Sequence, residues 1–464
     1  MSKTHPPRSA DAKKAPRPKR PRAPFVRPEA EQRGKSERGA AQPANHPKRP
    51  SESSLEGSVG ARISRRAADR IRSGHVWVYA SDIEDVNRGE DEAPALLPVA
   101  DGRGVLLGTA LYSPTSQIAL RLIAREAVDE AQWLELLEKR LRDAIEQRIP
   151  VLKGDTSKSD SCRLVFSEAD QLPGIIVDKY GDIIILQLLA KGLDSAAVRE
   201  TCVRVLREAI TPKAIFERPD PRIRELEGLP AANVEPLFAA KGATSKVQFT
   251  LNGLQFEFDV NAGQKTGAFL DQRENYAAAH AWAQDLGTTG RALDVCTYQG
   301  GFALHLAQSC KQITGIDASR SSLEVAERNL ELNRAKLSAE VDWMEGDAFQ
   351  ILRDWSDARE QFDTIVLDPP AFAKSKRAVE GALRGYKELN LRAMKMLRPG
   401  GLLVTCSCSH HVSWSDLEGA VSAAAADAHR RVRLHERRGA AADHPVVLNI
   451  PETEYLKCLV LEIE

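Results

Sequence analysis

Three short segments of the chain contain residues that could act together on one substrate. LDVCTYQGG at 293–301 has a carboxylate and a glycine turn, LDPPAF at 367–372 joins a carboxylate to two prolines, and VTCSCS at 404–409 contains a thiol. Each segment follows or ends a strand-like apolar run. Ligands bind at the carboxyl ends of the strands of a doubly wound sheet, so these segments are expected to meet at one site. Methyl transfer from S-adenosylmethionine to a nucleic-acid base fits this set of residues best.

The first segment predicts a nucleoside cofactor. Asp294 ends a strand, and a glycine turn leads into a helix whose N-terminus presents free N–H groups. Asp317 ends the next predicted strand, where a carboxylate can accept both ribose hydroxyls, and Asp347 is placed to bind an adenine amino group. Without a full GxGxxG pattern, the spacing alone does not separate a dinucleotide from S-adenosylmethionine. The candidate cofactor-binding residues are Asp294, Gln299, Gly300, Gly301, Asp317, Asp347 and Asp368.

The second segment indicates a flat, base-like substrate. Pro369 and Pro370 fix the chain in an extended conformation, so that Phe372 could stack on a base while Asp368 contacts its ring edge. A base must leave its stack to reach such a pocket. The alternative is a proline-terminated strand followed by a core phenylalanine. Basic residues that could meet phosphates follow closely, at Lys374, Lys376, Arg384 and Lys387.

The third segment supplies a candidate nucleophile, Cys408. C5 of cytosine is too electron-poor to take a methyl group directly, so a thiolate must first add at C6 while a neighbouring acid, here Asp368, neutralises charge on the ring. The alternative is an inert buried cysteine, the interpretation adopted for the other cysteines outside CSCSHH. A metal site made from Cys406, Cys408, His410 and His411 is not predicted, because no second ligand cluster with zinc-type spacing accompanies it.

The order of predicted elements indicates an α/β fold. Strands are expected at 291–296, 312–317, 340–344, 362–368 and 401–406, with helices between them and a closing strand in YLKCLVLEIE. A capping box from Ser321 to Glu324 is predicted to begin the helix at 321–335. This α/β domain is expected to cover 250–464. Two other parts precede it: a small β-rich domain at 58–128, and a connector helix with a central α/β domain at 129–249.

Composition separates the N-terminus from the rest. Residues 1–50 contain fourteen Lys or Arg, four Asp or Glu and ten Pro, although the 464-residue chain has a formal net charge of zero. We therefore interpret 1–57 as a disordered basic tail whose expected partner is polyanionic, or as a solubilising extension. Seven scattered cysteines, no apolar run of membrane-spanning length and no signal-type segment predict a cytoplasmic protein without a membrane partner.

The chain from about 60 to 464 resembles the bacterial RlmI-type ribosomal RNA large-subunit methyltransferases, which make 5-methylcytosine. The motifs that carry the resemblance are GHVWVYASDI, GTALYSPTSQIALR, EADQLPGIIVDKYGD, GQKTGAFLDQRENY, TYQGGFALHLA, VLDPPAFAKSK, RGYKELN and LRPGGLLVTCSCS. The resemblance implies a class I (Rossmann-like) methyltransferase domain, an N-terminal PUA domain and ribosomal RNA as partner.

Residue by residue, the resemblance implies that Gln272 and Arg273 help hold S-adenosylmethionine, and that Cys408 is the nucleophile in preference to Cys406. Tyr386, in RGYKELN, is assigned to the substrate side. The chain departs from the family at Ala371, where relatives often carry Lys. LDPPAF also has no cysteine beside its prolines, so the base that would resolve the covalent adduct is not identified.

Two other functions stay open at this point. An amino-group RNA or DNA methyltransferase would need the DPPAF turn but no thiol. An RNA-binding ribosome-assembly factor with an inactive methyltransferase domain would not bind S-adenosylmethionine. The modified nucleotide does not follow from the sequence, and a homodimer is one assembly that it leaves open.

Overall fold

The computed structural model describes residues 59–89, 95–152, 158–230, 235–261, 267–373 and 375–464. The predicted basic tail and Lys374 lie outside the described residues.

A six-stranded sheet with one helix begins the described chain. Its strand order is β2-β6-β5-β4-β1-β3, and Ala67, Ala68 and Ile71 of the helix pack on it. The elements are β1 (Gly60–Ile63), α1 (Arg65–Arg72), β2 (Trp77–Tyr79), β3 (Ile83–Asn87), β4 (Leu96–Asp101), β5 (Leu106–Tyr112) and β6 (Ile118–Ala124).

A five-stranded sheet, in the order β11-β10-β9-β8-β7, forms the central part. Its connector helix begins at a capping box made by Asp129 and Gln132, and buries Trp133, Leu137 and Leu141. The elements are α2 (Glu130–Gln147), α3 (Ile149–Leu152), β7 (Cys162–Phe166), β8 (Ile175–Tyr180), β9 (Ile183–Leu188), α4 (Ala196–Ile210), β10 (Ala214–Glu217), α5 (Pro221–Leu226) and β11 (Glu235–Ala239).

A hairpin and a helix lead into the last domain. The hairpin strands β12 (Lys246–Leu251) and β13 (Leu254–Asp259) pair with each other, and α6 (Arg273–Asp285) follows. Asn329 and Asn333 accept hydrogen bonds from the backbone N–H groups of Glu257 and Gln255, which ties the hairpin to the catalytic domain.

The seven-stranded catalytic sheet has the order β16-β15-β14-β17-β18-β20-β19. Strands β14 to β18 are parallel, and β20 runs antiparallel to both of its neighbours. The elements are β14 (Arg291–Val295), α7 (Gly301–Leu306), β15 (Gln312–Asp317), α8 (Arg320–Asn333), β16 (Glu340–Glu345), α9 (Ala348–Asp357), β17 (Phe362–Leu367), α10 (Val379–Met396), β18 (Leu397–Ser407), α11 (Trp414–Ala428), β19 (Val432–Arg438) and β20 (Lys457–Ile463).

Alternating strand residues bury both faces of this sheet. Leu293, Ile365 and Leu403 face one apolar cluster, whereas Val366 and Val404 face the other. Two helical layers cover the sheet, as the predicted class I methyltransferase fold requires, and this prediction is confirmed.

One local prediction is wrong. Ser319, not Ser321, caps α8, and its hydroxyl accepts from the backbone N–H of Ser322 at 3.3 Å. The carboxylate of Asp317 accepts from Ser319 N at 2.8 Å, so the end of β15 determines which serine of the series becomes the cap. Among the described residues, no helix combines the length and the apolar character that crossing a membrane requires.

Candidate active site

The carboxyl ends of the five parallel strands meet along one edge of the catalytic sheet. Asp317 ends β15, and Asp294 is the penultimate residue of β14, the neighbouring strand. Asp368 directly follows β17, and Cys408 directly follows β18, the neighbouring strand. The strand order therefore brings together the three segments that sequence analysis singled out.

The loop after β14 has an unusual backbone. Cys296 and Tyr298 have φ values of 65° and 52°, and Gly300 has a φ of 85°. Left-handed conformations at residues other than glycine cost about 1–3 kcal/mol each and persist only where surrounding contacts impose them. One such contact is the bond from Tyr298 N to Asp317 Oδ2 at 2.9 Å. The loop is thus held in one shape between the ends of β14 and β15.

Asp294 supports this loop from below. Its side chain is fully buried, and Oδ2 accepts hydrogen bonds from Thr297 Oγ1 at 2.6 Å and Ala303 N at 2.8 Å. Burial raises the pKa of Asp294 to about 7. Its second oxygen, Oδ1, is buried without a hydrogen-bond partner among the described residues.

The other predicted cofactor acids differ in exposure. Asp317 is half-buried, and its two oxygens accept from Tyr298 N and Ser319 N. Asp347 is exposed and caps α9, where Oδ1 accepts from Gln350 N at 2.9 Å. Both lie at consecutive strand ends and retain free lone pairs, because a carboxylate oxygen can accept more than one hydrogen bond.

The QGG turn combines a buried polar side chain with two glycines. Each glycine is required for a different physical reason. Gln299 is buried, and its Oε1 has no hydrogen-bond partner in the described part of the chain. Gly300 has the left-handed conformation that begins α7. A Cβ on Gly301 would lie 2.5 Å from the ring of Tyr276, so packing against α6 requires glycine there.

A buried amide holds the carboxylate of Asp368. Gln272 Nε2 donates to Asp368 Oδ2 at 3.0 Å, and Asn275 Nδ2 donates to Gln272 Oε1 at 2.7 Å. Gln272 is only 3% exposed, whereas Asp368 is half-buried. Pro369 is buried and Pro370 is exposed. Gln272 therefore fixes the orientation of the acid, and the rigid Pro-Pro segment fixes its backbone.

The two cysteines of CSCS have different environments. Cys406 is fully buried, and its thiol lies against Cys458 and Gln272. Cys408 is half-buried, and its Sγ lies 3.8 Å from the carbonyl oxygen of Pro369. Because Pro369 directly follows Asp368, this contact places the thiol against the segment that carries the acid. Of the two cysteines of CSCS, Cys408 is thus the more accessible one.

Lys457 is a functional candidate that sequence analysis missed. It is 3% exposed, and its Nζ donates to the carbonyl oxygens of Ser409 at 3.3 Å and Tyr455 at 3.1 Å. Burial lowers its pKa, and Cys408 is among the groups that act on it electrostatically. A lysine at the start of a largely apolar strand, KCLVLEI, was the available signal.

Arg273 does not lie at the cofactor loop. Its guanidinium is buried and donates to Asp443 Oδ2 at 3.0 Å and to the carbonyl oxygen of Ser161 at 3.1 Å. Arg163 N donates to the same Asp443 oxygen at 2.9 Å. The predicted cofactor contact of Arg273 is therefore corrected to a structural role, because buried charge demands a partner and Asp443 supplies it.

Tyr386 also needs correction. It is 1% exposed, and its hydroxyl interacts with Ser407 at 2.8 Å and Ser409 at 3.1 Å, so it supports the CSCS segment from beneath instead of meeting a substrate. Phe372 is half-buried and packs on Tyr386, with ring centroids 4.9 Å apart. Lys376 is exposed, in a single 3-10 turn.

The comparisons with known proteins identify two domains of the chain. A family model described as a PUA-like domain matches residues 61–125, and one described as an S-adenosylmethionine-dependent methyltransferase matches residues 234–447. The chain is similar to SMU.776 complexed with SAH, with a TM-score of 0.72 and 18% identity over 87% of this chain and 100% of that one. The fold and the family model define an S-adenosylmethionine-dependent methyltransferase with a PUA-like N-terminal domain.

The matches to curated proteins indicate a narrower class of methyltransferase. Ribosomal RNA large subunit methyltransferase I of Pseudoalteromonas translucida is 35% identical over 85% of this chain and 96% of that protein. The protein of the same name from Tolumonas auensis is 36% identical over 83% of this chain and 95% of that protein. This chain belongs to the ribosomal RNA large subunit methyltransferase I family.

Proposed function

We propose that this protein methylates C5 of a cytosine in large-subunit ribosomal RNA through a covalent adduct with Cys408. The names of its relatives support the RNA substrate. The observation that carries the cytosine-C5 assignment is the half-buried Cys408 thiol, 3.8 Å from the carbonyl oxygen that follows Asp368. A thiol beside an acid at the catalytic edge is what addition to C6 of a pyrimidine needs.

The residues around the β14 loop fit the methyl donor. Two buried oxygens at this loop have no hydrogen-bond partner among the described residues: Asp294 Oδ1 and Gln299 Oε1. The ammonium group of a methyl donor can donate hydrogen bonds to such atoms. Asp317 would hold the ribose and Asp347 the adenine. When bound, S-adenosylmethionine supplies an electrophilic methyl group.

Three side chains have separate roles in the reaction of the base: Cys408, Asp368 and Lys457. The thiolate of Cys408 adds at C6, so that electron density moves to C5, where the methyl group is accepted. Asp368, oriented by Gln272, contacts the polar edge of the pyrimidine and compensates charge that develops there. The ammonium group of Lys457 provides the nearby positive charge that favours a thiolate at Cys408.

The N-terminal parts of the chain would bind RNA outside the catalytic pocket. The PUA-like domain is proposed to recognise the substrate RNA. The tail at 1–50, with fourteen basic and four acidic residues, is proposed to contact phosphates without sequence preference. A metabolite would need neither, which favours a polynucleotide substrate.

Replacing one thiol at a time tests the mechanism. Cys408→Ala should abolish methyl transfer to unmodified large-subunit rRNA while calorimetry still detects S-adenosylmethionine binding. Cys406→Ala is the matched control, since it removes a buried thiol from the same strand, and it should retain turnover in proportion to the folded protein. Retained turnover in Cys408→Ala would contradict the C5 mechanism and favour methylation of an exocyclic amino group.

A further inference from the structure

A tyrosine and a carboxylate form a second polar pair beside the proposed nucleophile. Tyr455 Oη donates a hydrogen bond to Asp271 Oδ2. The other oxygen, Asp271 Oδ1, is buried and has no hydrogen-bond partner within the described ranges. Both residues line a cavity of about 330 Å³ between the central and catalytic domains, together with Phe166, Phe269, Gln187 and His444. This pair has no part in the chemistry described so far.

One sequence neighbour and one side-chain bridge connect the pair to the catalytic edge. Asp271 directly precedes Gln272, whose side chain holds the carboxylate of Asp368. Lys457 Nζ bridges the carbonyl oxygens of Tyr455 and Ser409, and Ser409 directly follows Cys408. Cys408 is also among the charges that act on Tyr455. The tyrosine and the acid are therefore connected to the segments that carry Cys408 and Asp368.

We propose that the Asp271–Tyr455 pair removes the C5 proton that must leave after methyl transfer. This proposal rests on the proposed function, because only an adduct at C6 creates a C5 atom that carries both a methyl group and a hydrogen. The Tyr455 oxygen accepts that proton while its own proton passes to Asp271. The electron pair of the C5–H bond forms the C5–C6 double bond, the C6–S bond breaks, and the Cys408 thiolate leaves.

The environment of the pair suits a relay. Burial raises the pKa of Tyr455 well above its usual value, so the hydroxyl is protonated at neutral pH and can pass a proton on. Asp271 accepts through the existing hydrogen bond, and its second oxygen accepts from no other donor among the residues that the structure describes. This assigns the base that the LDPPAF segment does not supply.

Covalent trapping tests the proposal with Asp271→Asn and Tyr455→Phe. On unmodified rRNA, both variants should lose about 10²–10⁴-fold in turnover. They should also accumulate a methyl-labelled, SDS-stable protein–RNA complex that the wild-type protein does not accumulate. On RNA containing 5-fluorocytidine, elimination is blocked for every protein, so both variants should form the complex at the wild-type rate. Cys408→Ala should form it on neither RNA.

Three outcomes separate the possibilities. Normal turnover in either variant would overturn the proposal. So would a loss of trapping on 5-fluorocytidine RNA in both variants, because that result would mean that the pair supports folding or earlier steps. If Cys408→Ala itself retains turnover, the proposed function fails, whatever the pair does.

Discussion

Gln272 and Arg273 are adjacent residues that serve two different regions of the molecule. Gln272 donates to Asp368 at the catalytic edge, where Asp317 and Asp368 are half-buried and Asp347 is exposed. Arg273 donates to Asp443 in a buried cluster, which we call the Asp443 clamp and which comprises Arg273, Asp443, His444, Ser161 and Arg163. One motif therefore positions the chemistry and joins the central domain to the catalytic domain.

The pKa of a buried carboxylate is shifted in opposite directions in the two regions. Burial also acts to raise the pKa of Asp443, but His444 and Arg273 together hold that pKa well below its usual range. At the edge, no cation in the described part of the chain pairs with Asp294, and burial raises its pKa to about 7. A carboxylate with satisfied charge builds structure, whereas one with an unpartnered oxygen is available to a ligand.

The clamp should show the largest effect on stability. Asp443→Ala leaves the Arg273 guanidinium buried without its carboxylate, which is expected to lower the free energy of unfolding by about 3–5 kcal/mol. Urea unfolding followed by circular dichroism measures it. Glu380→Ala, which breaks the exposed Arg384 pair, is the matched control and should cost under about 1 kcal/mol. If both substitutions lowered the free energy of unfolding by the same amount, the clamp would not be the structural region described above.

Gln272→Leu should affect catalysis more than stability. The substitution removes the bond to Asp368, and a hydrogen bond to a charged group contributes about 1.5–3 kcal/mol, so turnover should fall by about 10- to 100-fold. Single-turnover methylation measures the effect. A matched measurement on Asn275→Leu should show a smaller fall, because Asn275 reaches Asp368 only through Gln272. Unchanged turnover in Gln272→Leu would mean that the amide does not orient the acid.

The pH dependence of stability should have opposite signs in the two regions. With a folded pKa of about 7, Asp294 holds a proton that the unfolded chain has lost, so its contribution disappears as the pH rises from about 4 through 7. Asp443 has a lowered pKa, so its contribution is present above pH ~4 and disappears in acid. Urea unfolding of Asp294→Asn between pH 4 and 8 should show a weaker fall than the wild type. An unaltered pH profile would contradict the raised pKa.

The smallest effect is expected outside both regions. Deleting residues 1–57 should weaken RNA affinity and flatten its dependence on salt, because basic residues that release counterions are lost. Filter binding at several salt concentrations measures the slope, and S-adenosylmethionine binding should stay unchanged. An identical slope would mean that the tail does not touch RNA.

Sequence reasoning placed the strands and the edge acids because both depend on local patterns. Short apolar runs that alternate with helical segments predict β14 to β18, and the strand-end rule predicts Asp317 and Asp368. Arg273 could not be assigned in this way, since its partner Asp443 lies 170 residues away and no local pattern links the two. The lysine at the start of β20 is a local signal, but its place opposite Ser407, next to Cys408, follows only from the pairing of β18 with β20.

The most direct test of the account is the identity of the product. Large-subunit rRNA prepared without this enzyme should be incubated with the protein and labelled S-adenosylmethionine, then digested and analysed by nucleoside mass spectrometry. With the wild-type protein, the account predicts 5-methylcytidine, and with Cys408→Ala it predicts no methylated nucleoside. A label on an exocyclic amino group, or 5-methylcytidine made by Cys408→Ala, would contradict it.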